Sequence, residues 1–442
     1  MENCSTALPI ILFCFQILQK NRWTEQYLQG PCKHVNVAVP LALLMTLLVI
    51  HLSGCAFLAH YQQNYQQYLT TISGNFTIFG IAKLQSILNL VPGTMLTWSL
   101  MCLQRRLVQE HAPELLHSRY GDVMDIDGMA LVSYSRNREG ANFGHSKKFS
   151  GRTLLQSSAS FIGRVFVDFR LFPGDTNTAT FFKKAVNRAL SLGYRFFAVR
   201  ADALYGKAEN LLFLEQLCLH YAIGIAISVK ALKAAVKEFY HLARKHSSRI
   251  IHISKGVAIL DLGLVNVAGQ KDKETVLWRV ILCRRIHRRK NKNNRWKYKF
   301  YYYAIVTDLD WTPRQVFKFY HQRQCIENGF KELRYHYSVN ALAKNGKRSF
   351  KANEFWIASK IFAMTMYKIF GCCMLSKRLR YKRRATLLRE IFATTIDRVE
   401  NGIVVLCRRP KHLWHFQRIW GKLRQDDSFA KRFVIKAYKS CV

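Results

Sequence analysis

The sequence predicts a mixed α/β fold, and three observations carry that prediction. Apolar residues recur at helical spacing over residues 1–118. At Val123 the texture changes to short runs rich in β-branched and aromatic residues, and after Pro173 helix-like and strand-like stretches alternate. The expected organisation is a helical domain over 1–118, a sheet-and-helix core over 119–248, an inserted β-domain over 249–308, a return to the core over 309–372 and a basic helical region over 373–442.

In the first segment, apolar clusters at Leu41–Leu58, Phe79–Leu90 and Met95–Leu107 are separated by the turn-prone stretches "SGNF" and "VPGT". Val37–Ala59 holds no Asp, Glu, Lys or Arg, and its 23 residues are enough for a hydrocarbon layer of roughly 30 Å. Pro40, His51, Ser53 and Gly54 interrupt the run, and Met1-Glu2-Asn3 lacks the basic start of a signal peptide. A buried helical hairpin is expected there, with a membrane-anchored basic protein as the rival reading.

"VMDIDGMALVSY", "RTLLQSSASFI" and "RVFVDFRLF" read as three successive strands of an antiparallel meander. "PGDTNT" is a turn in which Thr176 or Asn177 caps a helix through "TATFFKKAVNRALSLG". A strand "YRFFAVRAD", a helix "KAENLLFLEQLCLHY" and a strand "AIGIAISVK" follow. Three more strand-like runs lie between 249 and 308, and then "TPRQVFKFYHQRQCIENGFKELRYH" reads as one long helix with Thr312 as its cap and Pro313 in its first turn.

Composition bounds the partner. Lys and Arg number 68 against 27 acidic residues in 442, a net charge of +41, which points to a polyanion and above all to nucleic acid. A solvated basic surface or a structural, ribosome-like protein is the plainer reading of the same charge. Twelve cysteines without a C-x-x-C pair argue against a zinc ribbon and for a reducing compartment, here the cytoplasm. Cys372 and Cys373 read as packing residues, and "HLWH" lacks the companion cysteines of a metal site.

On the long helix, Tyr320, Arg323, Glu327 and Arg334 fall within an arc of about 60°. That face places an acid among a phenol and two guanidinium groups, and suits metal binding by Glu327 with phosphate held by the others. An ordinary i,i+4 salt bridge between Arg323 and Glu327 is the plain alternative. Hydrolysis of a phosphodiester by two metals about 3.5–4 Å apart needs further carboxylates from other elements. Asp125 and Asp127 lie two apart in one apolar strand, facing the same side, and Asp202 ends another, where it also reads as a simple helix or turn cap.

Asp127, Asp202 and Glu327, with "YHQRQCIENGFKELR" around the last, resemble the DDE transposases of bacterial insertion sequences, in the group with the signature Tyr-x2-Arg-x3-Glu-x6-Lys. Tyr320, Arg323 and Glu327 match it, and Arg334 stands where the lysine is expected. "MDIDGMALVSYSRNREGANFG", "RLFPGDTNTATFF", "FFAVRADALYG", "FKANEFWIASKIFAMTMYKIFG" and, near the N-terminus, "FGIAKLQSILNLVPGTMLTWSL" are similar to further regions of that family. Gly128 departs from the hydroxyl residue expected after the first aspartate, which leaves Asp125 open as an alternative to Asp127.

The resemblance implies an RNase H-like core with a β-domain inserted between the second aspartate and the glutamate. It implies cut-and-paste transposition with two Mg²⁺ ions (Mn²⁺ substituting) held by Asp127, Asp202 and Glu327. The partners would be double-stranded DNA, as terminal inverted repeats and target, and a second copy of the chain; neither a membrane nor a small-molecule substrate is expected. Tyr320, Arg323 and Arg334 would grip phosphates, with Lys331 beside them. "CRRIHRRKNKNNRWKYKFYYY" interleaves nine Lys or Arg between 284 and 299 with aromatics. Arg288, Arg289 and Lys290 are read there as phosphate contacts and Trp296 as a base-stacking residue, although a packing tryptophan is equally natural in a strand. "SKRLRYKRR" is read as a track for DNA backbone, and a DNA-binding protein without cleavage activity is the alternative function.

Overall fold

The computed structural model describes residues 2–33, 40–55, 58, 61, 78–90, 95–144, 149, 151–227, 230–266, 276–290, 296–346, 349–384, 386–387, 394–400, 403–408, 413–426 and 433–437. Five helices open the chain: α1 (Glu2–Lys20), α2 (Trp23–Lys33), α3 (Pro40–Leu52), α4 (Ile81–Leu90) and α5 (Met95–His111). The uncharged stretch thus yields a 13-residue helix, buried at every position except Leu41; positions 37–39, 56, 57 and 59 lie outside the described residues. At 1.5 Å per residue it extends about 20 Å.

The sheet begins with β1 (Val123–Val132), β2 (Asn142–Phe143), β3 (Thr153–Ile162) and β4 (Val165–Pro173), continues through β5 (Ala198–Ala201) and β6 (His220–Ile225), and is flanked by α6 (Phe182–Ser191) and α7 (Ala208–Gln216). β3 pairs antiparallel with both β1 and β4, whereas β5 lies parallel to β1 and β6 parallel to β5. That order, β4-β3-β1-β5-β6, is the RNase H-like core expected from the sequence, in a mixed α/β fold. Asn177 does cap the turn after Pro173, accepting from Ala179 N at 3.1 Å, but the segment it opens is a short 3-10 turn before α6.

Two expectations differ from the structure. The strands of 249–308 do not form a sheet of their own: β7 (Ile251–Ser254), β8 (Val257–Asn266), β9 (Leu277–Lys290) and β10 (Trp296–Thr307) extend the central sheet, because β10 pairs antiparallel with β6 from Ala304–Ile225 to Thr307–Ala222. They are preceded by a helix not anticipated, α8 (Lys230–Arg244), which buries Leu232, Ala235 and Phe239 at helical spacing. The C-terminal region is not wholly helical: β11 (Thr394–Glu400), β12 (Ile403–Arg408) and β13 (Phe433–Ala437) form a separate three-stranded sheet, with α12 (Leu413–Asp426) between β12 and β13 in the chain. The β-branched runs "TTI", "IVV" and "VI" explain it, since such side chains lose rotamer freedom in helices.

The long helix after the glutamate, α11 (Phe350–Met374), is the spine that joins the N-terminal helices to the sheet. It is long and apolar enough to cross a membrane, yet 83% of that stretch is buried inside the protein. Its polar groups are matched by neighbours: His51 Nε2 lies 2.8 Å from Ser359 Oγ, and Thr365 donates to Gln104 Oε1 at 3.0 Å while Gln104 donates to Phe166 O at 2.6 Å. One apolar core therefore runs from Ile10 through β1, β4 and α11 to Leu423.

Candidate active site

β1 and β5 run parallel in register up to the pair Ile126–Ala201. One step further stand Asp127, inside β1, and Asp202, where β5 has ended. The carboxyl ends of parallel strands are where such sheets gather ligands. Asp202 turns the chain by accepting from Leu204 N at 2.9 Å. Tyr320 reaches the same place because β6 has glycine there: a Cβ on Gly224 would lie 2.8 Å from the Tyr320 hydroxyl.

The predicted single helix is two helices, α9 (Pro313–His321) and α10 (Gln324–His336). Thr312 and Gln315 form a reciprocal capping box at the start of α9. The break comes from a distant residue. Buried Arg200 donates to Phe319 O at 2.7 Å, and Arg323 N instead bonds Tyr320 O at 3.0 Å, tightening the turn. The tightened turn aims Arg323 at the acids, where it donates to Asp127 Oδ2 at 2.9 Å and to Glu327 Oε1 at 2.8 Å.

Arg200 also gives the two candidate aspartates different surroundings. It holds Asp125 with two bonds of 2.7 and 2.8 Å in a fully buried pair. Asp127 is the acid that faces Asp202 and the helix junction. Burial, opposed by Arg323 and reinforced by the Asp202 charge, pushes its carboxyl up to about 6. Burial likewise pushes the Tyr320 hydroxyl up to about 12, so it remains a donor at neutral pH. Arg323 stays charged, since the surrounding Asp127, Tyr320, Glu327 and Asp202 outweigh the effect of its burial.

The remaining sequence candidates are spread more widely. Arg334 stands two turns beyond Glu327, about 10 Å along the axis, with its Nε buried and, among the described residues, without a hydrogen-bond partner. Lys331 is exposed on the same helix. Trp296 opens β10 opposite Lys290 and is 56% exposed. Arg288, Arg289 and Lys290 belong to the β9 side of that hairpin, and their side chains lie outside those described. The sequence reading did not single out Tyr205, a fully buried residue whose hydroxyl senses the charges of both Asp127 and Asp202. Nor did it explain Gly128: a Cβ there would lie 3.2 Å from both Ser157 O and Thr178 Oγ1, so a hydroxyl of the neighbouring turn already fills that space.

Among the described residues no three His, Cys, Asp or Glu side chains stand close enough to share a metal ion. The donor set is nevertheless all carboxylate, the chemistry of a hard divalent cation. The Arg323 guanidinium, set between Asp127 and Glu327, supplies the positive charge these acids require. For Asp127 and Glu327 to take a cation between them, Arg323 would have to leave both.

The sheet order and its acidic carboxyl edge define the molecule as an RNase H-like protein. The Transposase DDE domain family matches residues 122–366, more than half of the chain, and the chain belongs to that family of transposases. No curated protein matches it. Among solved structures, the cryo-EM structure of a piggyBac transposase synaptic complex with hairpin DNA aligns with 87% of this chain and 79% of its own, at 9% identity and a TM-score of 0.43.

Proposed function

We propose that this protein cuts the inverted-repeat ends of its own insertion sequence and joins the freed ends to target DNA, with Asp127, Asp202 and Glu327 as the metal ligands. The observation that carries the reading is that Asp127 feels the charge of Asp202 at the end of the neighbouring strand while Arg323 joins Asp127 to Glu327. Divalent cations, Mg²⁺ or in its place Mn²⁺, would supply the Lewis acidity that activates water and stabilises the leaving oxygen.

Around that centre the chain's own groups have distinct tasks. Asp127 is mainly ionised at neutral pH and ready to exchange Arg323 for a metal. Arg323, once displaced, offers a planar fork to a phosphate. Tyr320 donates its hydroxyl to a second phosphate oxygen, and Arg334 and Lys331 neutralise phosphates further along the helix. Water cuts one strand, the freed 3′-hydroxyl attacks the opposite strand to give a hairpin, and the hairpin is reopened before the 3′ end joins its target. No covalent protein–DNA intermediate is required, and a homodimer would hold both ends.

The test uses a duplex carrying the repeats that flank the gene. Asp202→Asn and Glu327→Gln should each abolish cleavage in magnesium while mobility-shift binding persists. Cleavage at the wild-type rate in either variant removes that residue from the site. Binding without cleavage by the wild type would favour the DNA-binding alternative.

A further inference from the structure

A groove of about 830 Å³ runs along the flank of α10, beginning at Lys331 beside the catalytic glutamate and ending at Arg380–Arg383. We infer that this groove holds the phosphodiester backbone of the DNA as it leaves the catalytic centre; this rests on the proposed function.

Three features show a built surface. The turn between β3 and β4 carries Arg164 to the rim: Gly163 has a φ of +58° and a Cβ there would strike Leu115 O at 2.3 Å, so the turn lies flat on the preceding segment. Arg164 N donates to Leu115 O and Lys368 Nζ to Arg164 O, both at 2.8 Å. On the opposite rim the segment after α11 is pinned by its backbone. Tyr367 donates to Lys382 O at 2.7 Å, and buried Arg384 bonds the carbonyls of Leu52 and His336. A closely approaching Gly371, whose Cβ would lie 2.6 Å from Arg380 O, brings this segment against the helix.

The charges are arranged to meet an anion. Arg119, Arg164, Lys331 and Arg383 line the groove and are exposed, and among the described residues none of them forms an ion pair with a carboxylate. The acid on the groove floor, Glu332, is already matched by Lys368 at 3.3 Å. Arg164 stacks over the Tyr381 ring at 3.8 Å, and Tyr335 is 70% exposed on α10, giving flat surfaces next to the cations.

The experiment measures binding of a short duplex, and separately a single strand, of arbitrary sequence across a salt series with the full-length protein. The triple variant Arg119→Gln, Arg164→Gln, Arg383→Gln should lower the slope of log K against log salt by up to about 2.7 for duplex, or about 2.1 for single strand, because each phosphate contact contributes about 0.9 or 0.7. A fall in one arm only identifies which form of DNA occupies the groove. The triple Arg→Lys variant should keep the wild-type slope. Lys233→Gln, Lys237→Gln, Arg244→Gln on α8, three exposed cations elsewhere, removes the same charge and should leave the slope unchanged. Equal falls in the two glutamine triples, or none in either, overturn the groove. Failure of the wild type to bind any DNA would instead overturn the proposed function.

Discussion

Replacing Asp127 with asparagine should stabilise the metal-free protein while destroying its activity. In the folded chain the Asp127 carboxyl titrates at about 6, against an ordinary value of 3.8, and its side chain is 16% exposed. A native state with the higher pKa binds the proton more tightly, so its stability falls as pH rises from about 4 to about 6. The gap corresponds to about 3 kcal/mol at pH 7, at 1.36 kcal/mol for each pKa unit. Asparagine never ionises, and its amide oxygen can still accept from Arg323. In urea unfolding followed by tryptophan fluorescence, the variant should match the wild type near pH 4 and exceed it by about 3 kcal/mol at pH 7. Added magnesium should narrow that advantage by stabilising the wild type alone. A variant no more stable than the wild type at pH 7, or a difference that does not change with pH, would refute the account of Asp127 as an acid held under strain for a cation.

Arg200→Met should cost about 3–5 kcal/mol, because it leaves Asp125 buried and unpaired. The double variant with Asp125→Leu should recover much of that loss in the same unfolding assay. Lys360 lies fully buried in α11, donates to Ser338 O and Ala341 O at 2.7 Å, and burial lowers its amine to about 7. A folded pKa below the unfolded one makes stability rise with pH above about 7. The thermal midpoint of the wild type should therefore gain on that of Lys360→Met between pH 7 and pH 9.

Much of the catalytic sheet could be read directly from the chain, because alternation and β-branched runs are local signals that survive in any tertiary context. β1, β3 and β4 lie where the texture changes at Val123 predicts them, and Thr312 caps its helix as its neighbours Pro313 and Gln315 imply. The inserted strands were also legible as strands. Their joining to β6 was not, since pairing depends on partners far away in sequence.

By itself the sequence determined the basic charge, the three acids with their spacing and the nearness of Tyr320, Arg323 and Glu327 along a helical stretch, though not the break between α9 and α10 that separates Tyr320 from Glu327. The tertiary structure decided what those groups do. Arg200, 75 residues from Asp125 and 119 from Phe319, engages one aspartate in a buried ion pair and bonds the Phe319 carbonyl at the turn from which Arg323 reaches the other. No local pattern encodes that choice, because a buried guanidinium selects its partners only once β1, β5 and α9 have packed around it and excluded water.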